Sequence, residues 1–187
     1  MNEKEYRKKI DKHLEGYFEV EREVYSQNKK RIDYILKCKA SSVLFGVEVK
    51  STQHMTGVDI GKYIIQASGY YYELWKTKFS DKPVRLQIFI TPAISNFIKQ
   101  IKPETKKVIT STSGNVIEYY ESFHSSDHEH SNVNSMLAAF NIGEIRKINN
   151  EFKFIYANKV IWSSYKTPNC RLHKNNFDFY NKKLNSK

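Results

Sequence analysis

Between Val43 and Lys50 the sequence runs Val-Leu-Phe-Gly-Val-Glu-Val-Lys, an apolar stretch carrying a carboxylate and an ammonium two residues apart. Its β-branched and apolar content predicts a buried central strand. At a period of two, Glu48 and Lys50 share one face, while Phe45, Val47 and Val49 share the other. An ion withdrawn from water costs on the order of several kcal/mol unless it is paired or bound to a metal. The fold must therefore bring a partner to this strand, and the preceding segment, Arg31–Cys38, offers Asp33. There Ile32, Tyr34 and Leu36 are predicted to share one face and Asp33 and Ile35 the other, so a suitable register sets Asp33 beside Glu48. Two clustered carboxylates repel, and a divalent cation relieves the repulsion. Hard oxygen donors with open positions for water and phosphate suit Mg²⁺. Lys50 would orient the attacking water or offset charge building on a phosphate. A lone Glu-x-Lys is equally compatible with an ion pair on a solvated sheet face, so the argument depends on all three residues converging.

The surrounding pattern predicts an α/β chain. Residues 3–17 form a helical stripe of Glu3, Tyr6, Ile10, His13, Leu14 and Tyr17, with Lys and Arg opposite and Gly16 marking the end. Strands follow over Tyr17–Tyr25, Arg31–Cys38 and Val43–Lys50, then a polar loop over Ser51–Val58. A long helix is predicted from Asp59 to about Lys78, broken by Asp81-Lys82-Pro83, and an alternating strand over Val84–Ile90. Thr91-Pro92 reads as an N-cap with Pro at the first helical position, opening a short helix through Ile101. The later residues predict a hairpin of Val108–Thr112 and Val116–Glu121, a helix over Asn132–Ile142 stopped by Gly143, and a hairpin of Phe152–Ala157 and Val160–Tyr165 about Asn158-Lys159. The reading is one domain over 1–187, with a core over about 1–101 and a hairpin-and-helix elaboration over about 102–180.

Asp33 followed by Glu48-x-Lys50 on the next strand, within an α-β-β-β-α-β order, resembles the PD-(D/E)XK nuclease superfamily. Gln66-Ala67-Ser68-Gly69-Tyr70 on the following helix is similar to the QxxxY element of its exonuclease-like branch. The resemblance covers roughly Glu3–Thr91, and Ile32 stands where the family name has proline. It implies a restriction-endonuclease-like fold with a mixed central sheet and Mg²⁺-dependent phosphodiester hydrolysis, usually of DNA, with Mn²⁺ able to substitute. It further implies Asp33 and Glu48 as metal ligands with the Val49 carbonyl as a third, Lys50 assisting the water, and Gln66 contacting phosphate or Lys50. Many members place a Glu early in the first helix to support the metal. Glu3, on the stripe with Tyr6 and Ile10, fits that role better than Glu5. Tyr70, one turn from Gln66, should share its face and is a candidate for nucleic-acid contact. The resemblance is equally compatible with DNA repair, recombination, restriction or phage replication.

Charge is compatible with this. Lys and Arg number 31 against 20 Asp and Glu, a formal +11 that favours a polyanionic partner such as DNA, although a lysine-rich solvated surface gives the same balance. No apolar run reaches the ~20 residues of a membrane span. The charged start Met1-Asn2-Glu3-Lys4-Glu5 has no signal-like apolar stretch behind it, so a cytoplasmic protein is expected. Cys38 and Cys170 read as two reduced thiols. His124, His128 and His130 read as part of a flexible polar loop rather than a zinc site. The basic stretches Lys99–Lys107 and Lys166–Lys183 are solvated surface or a phosphate-tracking wall. Double-strand cutting by so small a domain would call for a homodimer. Two rival readings stand beside the deoxyribonuclease: a catalytically inactive DNA-binding protein of the same fold, and an RNA-acting nuclease that works without metal.

Overall fold

The computed structural model describes residues 3–39, 41, 43–50, 56–94, 106–110, 116–120, 127–148, 151–164 and 171–172. Helix α1 (Glu3–Tyr17) has the bounds the sequence predicts, with Gly16 in its last turn; it buries Ile10 and Leu14 and passes straight into strand β1 (Phe18–Tyr25). β1 turns back through Ser26–Lys30, where the Ser26 hydroxyl accepts from the amides of Asn28 and Lys30, into β2 (Arg31–Cys38). β3 (Leu44–Val49) pairs antiparallel with β2, setting Tyr34 opposite Val47 and Leu36 opposite Phe45.

Helix α2 (Gly57–Tyr71) opens on a capping box, in which the Thr56 hydroxyl accepts from the Asp59 amide and the Asp59 carboxylate accepts from Thr56. The sequence predicts this helix through Lys78, but it ends at Tyr71. Trp75 is fully buried and trades both backbone hydrogen bonds with Val84, at 2.9 and 3.0 Å, and a helix cannot continue through such a pairing. β4 (Gln87–Thr91) then runs parallel to β3, with Ile90 opposite Glu48. Thr91 is the last strand residue and no N-cap: its hydroxyl is hydrogen-bonded to the Tyr6 hydroxyl at 2.8 Å, and the peptide bond to Pro92 is cis. The remainder of the short helix predicted there lies outside the described residues.

β5 (Lys106–Thr110) and β6 (Val116–Tyr120) form the predicted hairpin as a separate two-stranded sheet. Helix α3 (Asp127–Ala139) starts earlier than predicted, so His128 and His130 lie in a helix and not in a loop, while His124 lies outside the described residues. Gly143 does not stop α3. Asn141 turns the chain with φ of 59°, and Gly143 sits inside β7 (Ile142–Ile148), where the Phe89 ring fills the space a side chain would need. β8 (Glu151–Tyr156) and β9 (Lys159–Ser163) form a hairpin about Ala157-Asn158, both with positive φ as a type I′ turn requires, and β10 (Arg171–Leu172) pairs with β9.

The main sheet is mixed and has eight strands in the order β1-β2-β3-β4-β7-β8-β9-β10. The late strands thus continue the sheet begun by β1–β4, and β4 is flanked by β3 and β7. On one face α1 covers an aromatic core of Phe18, Phe45, Phe89, Phe154 and Trp162; on the other α2 covers Ile35, Ile88 and Ile90. Ile32 belongs with Ile35 on the α2 side and not, as alternation predicts, with Tyr34 and Leu36. The β1–β2 ladder passes from Arg22–Tyr34 to Val24–Ile32, omitting the Glu23–Asp33 step, where Glu23 has φ of 52°. The irregularity falls beside Asp33. Cys38 is buried with a free thiol, and Cys170 lies outside the described residues. Among the described residues no helix is long and apolar enough to cross a membrane.

Candidate active site

The β2–β3 register that places Tyr34 opposite Val47, carried one step further, places Asp33 beside Glu48. Asp33 is 4% exposed, and its Oδ2 accepts a 2.7 Å hydrogen bond from the Val49 amide. Glu48, 5% exposed, lies on the α2 face with Gly46, whose missing side chain leaves room for the methyl ends of Ile88 and Ile32. Lys50, 6% exposed, follows the last residue of β3, yet its amide still donates to the Thr91 carbonyl at 2.9 Å, so the strand path continues through it. Its Nζ donates to Glu48 Oε1 and to Gln66 Oε1, both at 2.6 Å, and lies 5.0 Å from the centre of the Tyr63 ring.

Gln66 and Tyr70 share one face of α2 as their spacing predicts, and Gln66 Nε2 donates to the Tyr70 hydroxyl at 2.6 Å. The Tyr70 ring is buried edge-on against Trp75, with centroids 5.5 Å apart. Tyr70 therefore meets the site through its hydroxyl, with its ring packed into the core and not laid open for stacking. The site is a chain of contacts running from Asp33 and Glu48 through Lys50 and Gln66 to Tyr70.

Glu3 enters indirectly. Its Oε1 accepts from Arg7 Nη2 at 2.7 Å, and the same nitrogen donates to Asp33 Oδ1. Sequence reasoning set Arg and Lys opposite the Glu3 stripe and missed Arg7; its i,i+4 spacing from Glu3 was the available signal. It missed Tyr63 as well, one turn before Gln66 on the face that meets Lys50. Of Val49, the group that touches Asp33 is the amide N–H.

Burial, reinforced by the charge of Asp33 and opposed by Lys50, pushes the Glu48 carboxyl up to about 7. Burial also raises Asp33, against the pull of the Val49 amide and the Arg7 guanidinium. Burial and the nearby Glu48 charge push the Tyr70 hydroxyl up to about 12. Glu48 Oε2 is buried and has no hydrogen-bond partner among the described residues, an unusual state for a carboxylate oxygen. Two carboxylates on adjacent strands, one with an orphaned oxygen, are a hard-donor set suited to Mg²⁺ or Mn²⁺. Among the described residues no group of three or more His, Cys, Asp or Glu side chains is placed to hold a metal ion. A cation here would rest on Asp33 and Glu48, with backbone oxygen and water completing its shell. No family model, curated protein or solved structure matches this chain.

Proposed function

We propose that this protein is a divalent-metal-dependent nuclease of restriction-endonuclease-like fold that hydrolyses phosphodiester bonds in DNA. The observation that supports this reading is the convergence of Asp33, Glu48 and Lys50, all buried, at the ends of adjacent strands, with Glu48 Oε2 left unpartnered. Asp33 and Glu48 would hold Mg²⁺. When bound, the metal supplies Lewis-acid polarisation of the scissile phosphate and lowers the pKa of a water. The protein's own contribution is positional. The Val49 amide fixes the Asp33 carboxylate, while Glu48 and Gln66 hold the Lys50 ammonium from two sides. Held there, Lys50 orients the attacking water and offsets charge on the phosphate oxygens. Tyr70 anchors Gln66, and Glu3 acts through Arg7. The surplus of 31 basic over 20 acidic residues suits a polyanionic substrate.

The test is incubation of the purified protein with linear, circular, single-stranded and branched DNA, and with RNA, in Mg²⁺, Mn²⁺ or EDTA, alongside Asp33→Ala and Lys50→Ala. DNA cleavage that needs the metal and falls roughly 10²-fold or more in both variants is the expected result. Cleavage at the wild-type rate by either variant overturns the catalytic assignment. RNA cleavage that persists in EDTA favours the metal-free RNA nuclease, and binding without cleavage favours an inactive DNA-binding protein.

A further inference from the structure

On the α1 side of the sheet, a cleft of about 580 Å³ opens between α1 and the ends of β7 and β8. Its volume falls in the range of sites that enclose a small organic ligand. Lys8, Lys9, Lys12 and Lys147 line it, all exposed, and no carboxylate is among the described residues that line it. Among the described residues none of these four lysines takes part in an ion pair. Acids close in sequence are engaged elsewhere, Asp11 with Arg22, Glu144 with Arg146 and Glu151 with Lys153. A concave surface with several uncompensated ammonium groups attracts phosphate.

The cleft also has aromatic walls. The His13 and Phe152 rings lie 5.2 Å apart at 44°, with Phe152 buried as the floor and His13 exposed beside it. Tyr6 lines the cleft too, its hydroxyl hydrogen-bonded to that of Thr91, whose carbonyl accepts from the Lys50 amide. Neighbouring residues of α1 thus serve the two places: Arg7 reaches Asp33, and Tyr6 lines the cleft. Lysines that follow a phosphate backbone, interleaved with rings that stack on bases, make up the general design of single-strand binding sites. In a duplex the base faces are already stacked on each other, so rings inside a concavity are of use only to an unpaired base.

We infer that this cleft is a subsite for single-stranded nucleic acid, with phosphates on Lys9, Lys12 and Lys147 and a base against His13 and Tyr6, leading toward Asp33 and Glu48. The inference rests on the nuclease reading for its direction, and it makes an unpaired strand, such as a frayed end or tail, the substrate class.

The test measures anisotropy of a short labelled oligothymidylate, and of its duplex with oligodeoxyadenylate, in EDTA so that no metal-dependent turnover occurs. The proteins are wild type, the triple variant Lys9→Gln/Lys12→Gln/Lys147→Gln, and His13→Ala, each first shown by circular dichroism to be folded. Wild type should bind the single strand more tightly than the duplex. Each lost phosphate contact lowers the slope of log K against log salt by ~0.7 on a single strand, so the triple variant should lose a slope of about 2. His13→Ala should weaken single-strand binding at least about fivefold and leave duplex binding unchanged. A triple variant with the wild-type slope, a His13→Ala protein with wild-type single-strand affinity, or equal losses on duplex and single strand each overturns the subsite. The two readings fail separately. A protein that binds strands through the cleft but never cuts them sinks the nuclease alone, and one that cuts while its cleft variants bind like wild type sinks the subsite alone.

Discussion

Arg7 holds the one oxygen of Asp33 that the backbone leaves open: Oδ2 is taken by the Val49 amide, and Oδ1 receives the Arg7 guanidinium. A cation bound to Asp33 through Oδ1 would share that oxygen with the guanidinium, and the two positive charges would repel.

Arg7→Gln should therefore tighten divalent cation binding while weakening the metal-free fold. Removing one partner of a buried ion pair leaves the other charge uncompensated. Because Arg7 is partly exposed the cost is discounted to roughly 2 kcal/mol. Calorimetric titration with Mn²⁺, with thermal melting in EDTA and in Mn²⁺, measures both effects. The variant should melt lower than wild type without metal and gain more from adding it. Equal or weaker Mn²⁺ affinity in the variant would show that Arg7 supports the cation instead of competing with it.

Gln66 and Tyr70 separate positioning from packing. Gln66→Leu removes one of the two oxygens that hold Lys50 and should lower kcat by roughly tenfold or more, with little change in KM. Tyr70→Phe keeps the ring against Trp75 and the Lys50–Gln66 contact, and should stay within about threefold of wild type. If the two variants lose kcat equally, the Lys50–Gln66 contact carries no special weight.

The buried Glu48 makes the metal-free protein sensitive to pH. Unfolded, this carboxyl releases its proton near 4.5; folded, it keeps it up to about 7. Between those values the native state binds the extra proton, so stability is higher on the acid side and is lost as pH rises through about 7, by an amount on the order of 2–3 kcal/mol. Urea unfolding in EDTA from about pH 5 to about pH 8 should show this fall, and Glu48→Gln should flatten it. A wild-type profile as flat as the variant's would remove the assignment.

Two glycines should respond oppositely to alanine. At Gly143 a Cβ would stand 2.4 Å from a Phe89 ring carbon and 2.8 Å from the Ile155 carbonyl oxygen, so Gly143→Ala should cost about 1–3 kcal/mol. At Gly61, inside α2, a Cβ meets nothing within 4 Å, and Gly61→Ala should stabilise by up to about 1 kcal/mol. Thermal melts that shift in the same direction for both would contradict this packing.

What the sequence made legible was mostly local. α1 and the first three strands followed from period and turn composition, and Glu48 and Lys50 stood out because charges are costly in an apolar strand. Their joining to Asp33 needed only that consecutive strands pair. The errors came where a distant residue decides. The end of α2 is set by Val84 pairing with Trp75, and Gly143 is set by the ring of Phe89. Arg7 looks like one more solvated helix cation until β2 is laid beside it. β7 was not foreseen as a strand because Glu144, Arg146 and Lys147 break its apolar pattern; Glu144 is fully buried and paired with Arg146 at 3.1 Å.

The position of β4 between β3 and β7 has a bearing on how such a protein can be divided. A cut near residue 101 would keep Asp33, Glu48 and Lys50 but leave β4 with a bare ladder edge, its apolar side chains Ile88, Phe89 and Ile90 newly wetted. Such a fragment is an invitation to aggregation, not a minimal enzyme. Both halves of the chain contribute strands to one sheet, so a division should be sought elsewhere than between β4 and β7.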